Sequence, residues 1–218
     1  DAARELQSYG VAVVSSTVAG VHSTDRRVTV ELGDGTAIRA RAMLLATGVH
    51  DELPAIHGLA DRWGKSVFNC PFCDGWEHRD QPVVVIDAAP GAEQLATMLR
   101  SWTPHVTVVG RNDVAALIGD QTTLRHVVLH DGTMIDATAA FVKAPVSPRS
   151  TLARELGCDI DEHEYVITNG DGATSHPLVW AAGDVRRPPP MPHQVVLAAA
   201  DGSTSAIAIH KHLAARHR

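Results

Sequence analysis

Cys70 and Cys73, separated by two residues, are the strongest chemical signal in this chain. At a turn entering a helix, this spacing lets both sulfurs meet as a disulfide. A helix N-terminus is expected to lower the thiol pKa and favour an attacking or leaving thiolate. Pro71 removes one backbone donor and stiffens the turn; Asp74 follows directly as a proton donor or acceptor for a thiolate. The competing chemistry for such a pair is zinc. A zinc site needs two further ligands, but there is no second CxxC, and His78 and Asp74 are poor substitutes by spacing, so no metal is expected. The remaining cysteine, Cys158, follows Gly157 at the end of a short predicted helix and reads as an inert core residue. The 13 histidines are spread along the chain and read as solvated or structural.

Composition limits the function classes. A hydrophobic content of 44% over 218 residues is ample for one large domain or two small ones. The net charge of −6, with scattered Lys and Arg, gives no electrostatic reason for a nucleic-acid partner. No run approaches the roughly 18 apolar residues of a membrane span. The polar opening, Asp1-Ala-Ala-Arg-Glu-Leu6, lacks a signal-peptide pattern. A cytoplasmic protein that binds neither nucleic acid nor membrane is expected.

The elements that must position the cysteines can be read from periodicity. Residues 11–18 and 27–32 are predicted strands, the second with Val28, Val30 and Leu32 alternating with polar residues. Gly33-Asp34-Gly35 turns the chain back into a strand that becomes wholly apolar at 42–46 and stops at Thr47-Gly48. Residues 50–66 read as a connector. After the cysteines, a strand at 83–86, a loop from Asp87 to Gly91, a helix from about 92 to 102 and a strand at 106–109 form a parallel crossover. A hairpin follows at Asp131-Gly132, then a short helix at 152–156. Val179-Trp-Ala-Ala-Gly183-Asp184 is a buried strand ending in Gly. A Pro-rich turn then leads to a long helix rich in small residues, beginning at Val195 or Ser203 and ending near His212.

Several of these segments together resemble a known family. Cys70-Pro-Phe-Cys73-Asp74-Gly75-Trp-Glu-His-Arg-Asp-Gln-Pro82, running straight into the strand at 83–86, is similar to the redox segment of thioredoxin-reductase-like flavoproteins. It is more similar still to their relatives, the FAD-dependent dithiol oxidases of the gliotoxin and holomycin type. Ala46-Thr47-Gly48, Val179 to Asp184, and His193-Gln194-Val195 match the flavin motifs of the same group. The resemblance implies an α/β fold of two Rossmann-like, three-layer domains of the FAD/NAD(P)-linked disulfide oxidoreductase type. The first domain would comprise residues 1–52 and 160–218, the second residues 53–159 with the CxxC. It implies FAD bound by Thr47, Gly48, Gly183, Asp184, His193, Gln194 and Val195, with Asp184 on the ribityl chain. It also implies Cys73 facing the flavin, Cys70 exchanging with substrate, Asp74 as acid–base partner, and a homodimer.

Two departures shape the functional expectation. The family opens with a strand–GxGxxG–helix unit for the FAD pyrophosphate; nothing before Ala46 supplies it, so the first domain reads as incomplete at its N-terminus and its FAD binding as open. The nicotinamide loop has Asp87 and Ala89 where glycines are wanted. A carboxylate at 87 is expected to repel a pyrophosphate by about 3 kcal/mol at ~5 Å and an effective dielectric of ~20, more than a hundredfold in affinity. NAD(P)H use is therefore doubtful on sequence grounds. The expected function is an FAD-dependent thiol–disulfide oxidoreductase that oxidises a dithiol through Cys70 and Cys73 with oxygen as acceptor. Its alternatives are an NAD(P)H-dependent reductase of thioredoxin-like partners and a truncated, inactive paralogue.

Overall fold

The structure is a computed structural model that describes residues 2–87 and 91–216. The chain divides into two units, residues 1–50 with 147–218 and residues 51–146.

The first unit opens with α1 (Ala2–Ser8) and an antiparallel meander of β1 (Val18–Ser23), β2 (Val28–Leu32) and β3 (Ala37–Ala40). Residues 11–17, expected to be a strand, are irregular, and Val11, Val13 and Val14 stay exposed. Their apolar side chains have no sheet partner, so propensity alone did not make a strand there. The β2–β3 turn closes as its sequence demands: Gly35 adopts φ +85°, and the Asp34 carboxylate accepts the Thr36 N–H at 2.9 Å. β4 (Met43–Leu45) pairs in parallel with a strand from the far end of the chain, described below. The chain leaves the unit through β5 (Val49–Asp51).

In the second unit, α2 (Leu59–Arg62), β6 (Val67–Phe68) and α3 (Pro71–Asp74) precede the crossover. That crossover is β7 (Val83–Ile86), α4 (Gly91–Leu99) and β8 (Val106–Val109). A meander of β9 (Val114–Gly119), β10 (Leu124–Leu129) and β11 (Met134–Asp136) stands where a second helical crossover has no room, and β12 (Ala139–Val142) completes a parallel sheet ordered β6-β12-β7-β8. Every residue of β7 and β12 is buried, because both faces of this sheet are covered. Val83 and Val85 pack with Phe141 against Leu95, Ala96 and Leu99 of α4. Val84, Ile86 and Val142 pack against Val114, Leu117, Leu124 and Val127 of the meander. Each fully buried Val or Leu in these layers contributes about 1.5–3 kcal/mol. The layered sheet is thus a rigid platform for the loops at its edge.

The chain returns through β13 (Val146–Pro148), and residues 147–159 belong with the first unit rather than the second, as the sequence had suggested. The reason is packing: Leu152 and Ala153 of α5 (Leu152–Glu155), with Leu156 and Cys158, join Val28, Leu45, Leu178 and Val179 in one core. β14 (Val179–Ala181) lies parallel to β4, with Trp180 opposite Leu44. A helix of 21 residues, α6 (Val195–Ala215), ends the described chain, and Val195 rather than Ser203 is its first residue. Both units are Rossmann-like α/β assemblies, as the sequence implied.

Candidate active site

Cys70 is the N-cap of α3, with Pro71 as the first helical residue. The helix is a single turn, which places Cys73 directly over Cys70. The Cys73 Sγ donates to the Cys70 Sγ at 2.7 Å. Both thiols are free; Cys70 is half-buried and Cys73 exposed. Gly75 closes the turn because nothing larger fits: a Cβ there would stand 2.5 Å from the Pro71 carbonyl oxygen and 2.8 Å from the Trp102 ring.

The electrostatics correct one sequence expectation. At Cys73 the pKa goes up, not down. Its hydrogen bond to Cys70, then burial, then the charges of Cys70 and Asp74, push its thiol up to about 11. Cys73 therefore keeps its proton at neutral pH. Burial, with help from Glu77, raises the Asp74 carboxyl, against the pull of His78. Such a carboxyl is suited to give and take a proton beside a thiolate. His78, unassigned by the sequence reading, is half-buried with its ring 5.4 Å from Phe68 and 6.5 Å from Phe141. Burial lowers its pKa despite the nearby Asp74 and Glu77. Of the four aromatics near the cysteines in sequence, Trp63 and Phe68 pack against the core, while Phe72 and Trp76 are exposed.

The nicotinamide-loop position reads differently from its sequence. Asp87, at the end of β7, is not a bare charge: Arg111 reaches it with Nη2 at 3.0 Å from Oδ1, and the same nitrogen donates to the Lys143 carbonyl at 2.8 Å. The ion pair neutralises the carboxylate that was expected to repel a pyrophosphate, and the repulsion argument falls with it. Gly91 begins α4; Ala89 lies outside the described residues.

In the first unit, Thr47 and Gly48 follow β4, with Gly48 at φ +66°. Gly183, at φ +74°, allows the chain to turn after β14, where a Cβ would stand 3.3 Å from that of Ala198 on α6. The next residue, Asp184, has a buried Oδ1 with no hydrogen-bond partner. A buried, unpaired carboxylate oxygen is costly unless a ligand donates to it. His193 donates through Nε2 to the Arg187 carbonyl at 2.7 Å, and Gln194 caps α6. The first-turn residues Val195 and Val196 are exposed, no acid lies in that turn, and the opening N–H groups of a helix have no intrahelical acceptor. An orphaned acceptor and an open helix N-terminus fit the hydroxyl chain and the electron-rich ring edge of a flavin.

The sequence reading missed what braces this loop. Asp201, seven residues into α6, accepts Arg187 through both carboxylate oxygens at 2.8 and 3.0 Å, Arg186 at 3.1 Å and the Gly183 N–H at 3.3 Å. The adjacent arginines were visible, but their shared partner lies 14 residues beyond Arg187 with no local pattern linking them.

A family model described as Pyridine nucleotide-disulphide oxidoreductase matches residues 4–116 and 111–202. The chain belongs to that family. It is a flavin-dependent thiol–disulfide oxidoreductase. It is 27% identical to a thioredoxin reductase of Streptomyces clavuligerus, over 97% of this chain and 74% of that protein. It is 29% identical to one of Mycolicibacterium smegmatis, over 85% and 68%. Among solved structures, HlmI superposes with a TM-score of 0.85 at 32% identity, over 97% of this chain and 74% of that one. These relatives overturn two narrower expectations. The special affinity to dithiol oxidases gives way to the thioredoxin reductases, the name the curated relatives carry. Doubt over NAD(P)H gives way to a family defined by pyridine nucleotide, for which the Asp87–Arg111 pair supplies the physical reason. Among the described residues no group of side chains could hold a metal ion, and no helix is long and apolar enough to cross a membrane.

Proposed function

We propose that this chain is an NAD(P)H-dependent reductase of a small thioredoxin-like protein disulfide, acting through Cys70 and Cys73. The observation that carries this reading is the Cys73-to-Cys70 hydrogen bond at 2.7 Å in an accessible turn. The thioredoxin reductases among its relatives supply the partner class. Thr47, Gly48, Gly183, Asp184, His193, Gln194 and Val195 are the residues that would hold FAD, with Asp184 as acceptor for a ligand hydroxyl. When bound, FAD supplies the two-electron relay between a nicotinamide and a disulfide.

The protein's own part begins with the reduced pair. Cys70, as thiolate, attacks the partner disulfide; one partner sulfur leaves, and a mixed disulfide forms. Asp74 is placed to protonate the leaving thiolate. Asp74, now a carboxylate, takes the Cys73 proton and passes it to the second partner sulfur as Cys73 attacks the Cys70 sulfur. The partner leaves as a dithiol and the Cys70–Cys73 disulfide re-forms. Two electrons and two protons pass to the partner. Cys73 must hold its proton until that second attack, which is what its raised pKa provides.

Steady-state oxidation of NADH or NADPH coupled to thioredoxin reduction, with FAD supplied, tests this reading. Turnover that Cys70→Ser abolishes is expected. Nicotinamide oxidation that ignores thioredoxin and survives that substitution would overturn it.

A further inference from the structure

We propose that His78 is a positioning residue for the proton transfers of Asp74: its imidazole takes a proton from solvent as Asp74 becomes a carboxylate and returns it when Asp74 regains its own. The statement rests on the acid–base part given to Asp74 above and is independent of where the electrons come from.

The backbone keeps the two residues together. Gly75, the C-cap of α3, has helical φ −67° and ψ −33° and is also the N-cap of the 3-10 turn Trp76–His78. Its N–H donates to the Pro71 carbonyl at 2.8 Å, and the His78 N–H donates to the Gly75 carbonyl at 3.3 Å. The helical path is therefore unbroken from Pro71 to His78, and Asp74 and His78 stand one turn apart on it, the spacing that makes side chains neighbours. Both are half-buried, whereas Phe72, Cys73, Trp76 and Glu77 of the same stretch are exposed. The parallel sheet then fixes the ring. Phe141 of β12 lies opposite Phe68 of β6. The His78 ring packs on both, 5.4 Å from Phe68 and edge-on to Phe141 at 6.5 Å. An imidazole seated on two rings has little freedom to swing away when Asp74 changes charge.

Burial and attraction pull this pair in opposite directions. Burial favours the neutral form of both: it raises the Asp74 carboxyl and lowers the His78 imidazole. Attraction favours the charged form of both: an imidazolium lowers Asp74, and a carboxylate raises His78. Glu77 raises both groups, and Asp74 in turn raises Cys73. The elements packed around the turn add no competing charge. β6 and β12 present Phe68 and Phe141 to His78. On α4, which packs against α3, Glu93 and Arg100 pair with each other at 3.8 Å. Arg79 lies over the Trp76 ring at 4.6 Å and donates to the Trp76 carbonyl. A charge that forms on Asp74 thus calls up the opposite charge on His78, which stabilises the carboxylate between its two proton transfers.

Stopped-flow exchange of the FAD-loaded, pre-reduced protein, kept anaerobic, tests the proposal with two small disulfides: hydroxyethyl disulfide and the aromatic dithiobis(nitrobenzoate). His78→Phe keeps a ring against Phe68 and Phe141 and removes the titrating group; His78→Gln removes it with a polar side chain. With hydroxyethyl disulfide, whose leaving thiolate needs a proton, both variants should exchange about tenfold more slowly. The limb along which the rate falls as Asp74 loses its proton should move to higher pH, because the imidazolium that lowered the Asp74 carboxyl is gone. An aromatic thiolate leaves without a proton, so exchange with dithiobis(nitrobenzoate) should slow far less. An unmoved limb, or equal slowing with both disulfides, assigns His78 to packing alone and overturns the proposal. Asp74→Asn, run alongside, separates the proposal from the reading it rests on. A native rate and profile in Asp74→Asn remove Asp74 from the proton path and the proposal with it. Loss of the limb in Asp74→Asn without a shift in the His78 variants overturns the part given to His78 and leaves that of Asp74 standing.

Discussion

Arg187 grips Asp201 with two donors, Nη2 to Oδ1 at 2.8 Å and Nε to Oδ2 at 3.0 Å, tying the loop after β14 to the second turn of α6. Burial pushes the Asp201 carboxyl up, but the Arg187 hydrogen bonds and the charges of Arg186 and Arg187 outweigh it and hold the carboxyl below its ordinary value. The clamp holds Gly183 and Asp184 on one side and the open helix N-terminus on the other.

Asp201→Asn leaves two mostly buried guanidinium groups without their counter-charge. The expected loss is about 3 kcal/mol of stability, readable in a denaturant titration, with weaker FAD retention. The sign with pH follows from the lowered pKa. The contribution is complete above the unfolded carboxylate value of about 3.9 and is lost as pH falls through the folded value. The native protein should lose stability in acid more steeply than the variant.

Cys73 gives the opposite slope. Its folded pKa of about 11 lies above its ordinary value, so the reduced protein gains stability that is intact below the ordinary thiol range and lost as pH rises towards 11. Following the ultraviolet thiolate band of the reduced protein should show the Cys73 step near 11. In Cys70→Ser the hydrogen bond between sulfurs is gone, and the step should move down. An unchanged step in that variant would remove Cys70 as its cause.

Asp74→Asn should slow thioredoxin reduction by about a hundredfold, the scale of a lost general acid. Reduction of the Cys70–Cys73 pair by nicotinamide should be much less affected. Because burial raises the Asp74 carboxyl, the native pH profile should carry a limb above the usual carboxylate range, and the variant should lack it. A profile identical in both proteins would remove Asp74 from the proton path.

Gly75→Ala should perturb the redox turn itself, since the added methyl meets the Pro71 carbonyl and the Trp102 ring. A loss of about 1–3 kcal/mol is expected, with faster alkylation of the loosened thiols as the readout.

Much of this was legible in the sequence, for reasons particular to each segment. The strands at 83–86 and 106–109 could be read to the residue, because apolar runs bounded by turn residues have one reading once the crossover between them is recognised. The CxxC gave the site because its chemistry is local. Residues 11–17 misled because their valines carry strand propensity without a neighbour to pair with. Residues 147–159 were put in the wrong unit because only the packing of Leu152, Ala153, Leu156 and Cys158 assigns them. Asp87 was read as a repulsive charge because its partner, Arg111, lies 24 residues away on the next strand's end. The Asp201 clamp was invisible for the same reason.

The central claim is that electrons from a nicotinamide reach a partner disulfide through Cys70 and Cys73. It is tested most directly by the flavin spectrum of the FAD-loaded protein, kept anaerobic. NADH or NADPH should bleach it, and oxidised thioredoxin should then restore it in the native protein and fail to do so in Cys70→Ser. Bleaching by a dithiol but not by NADH or NADPH, or restoration that persists in Cys70→Ser, would contradict the account.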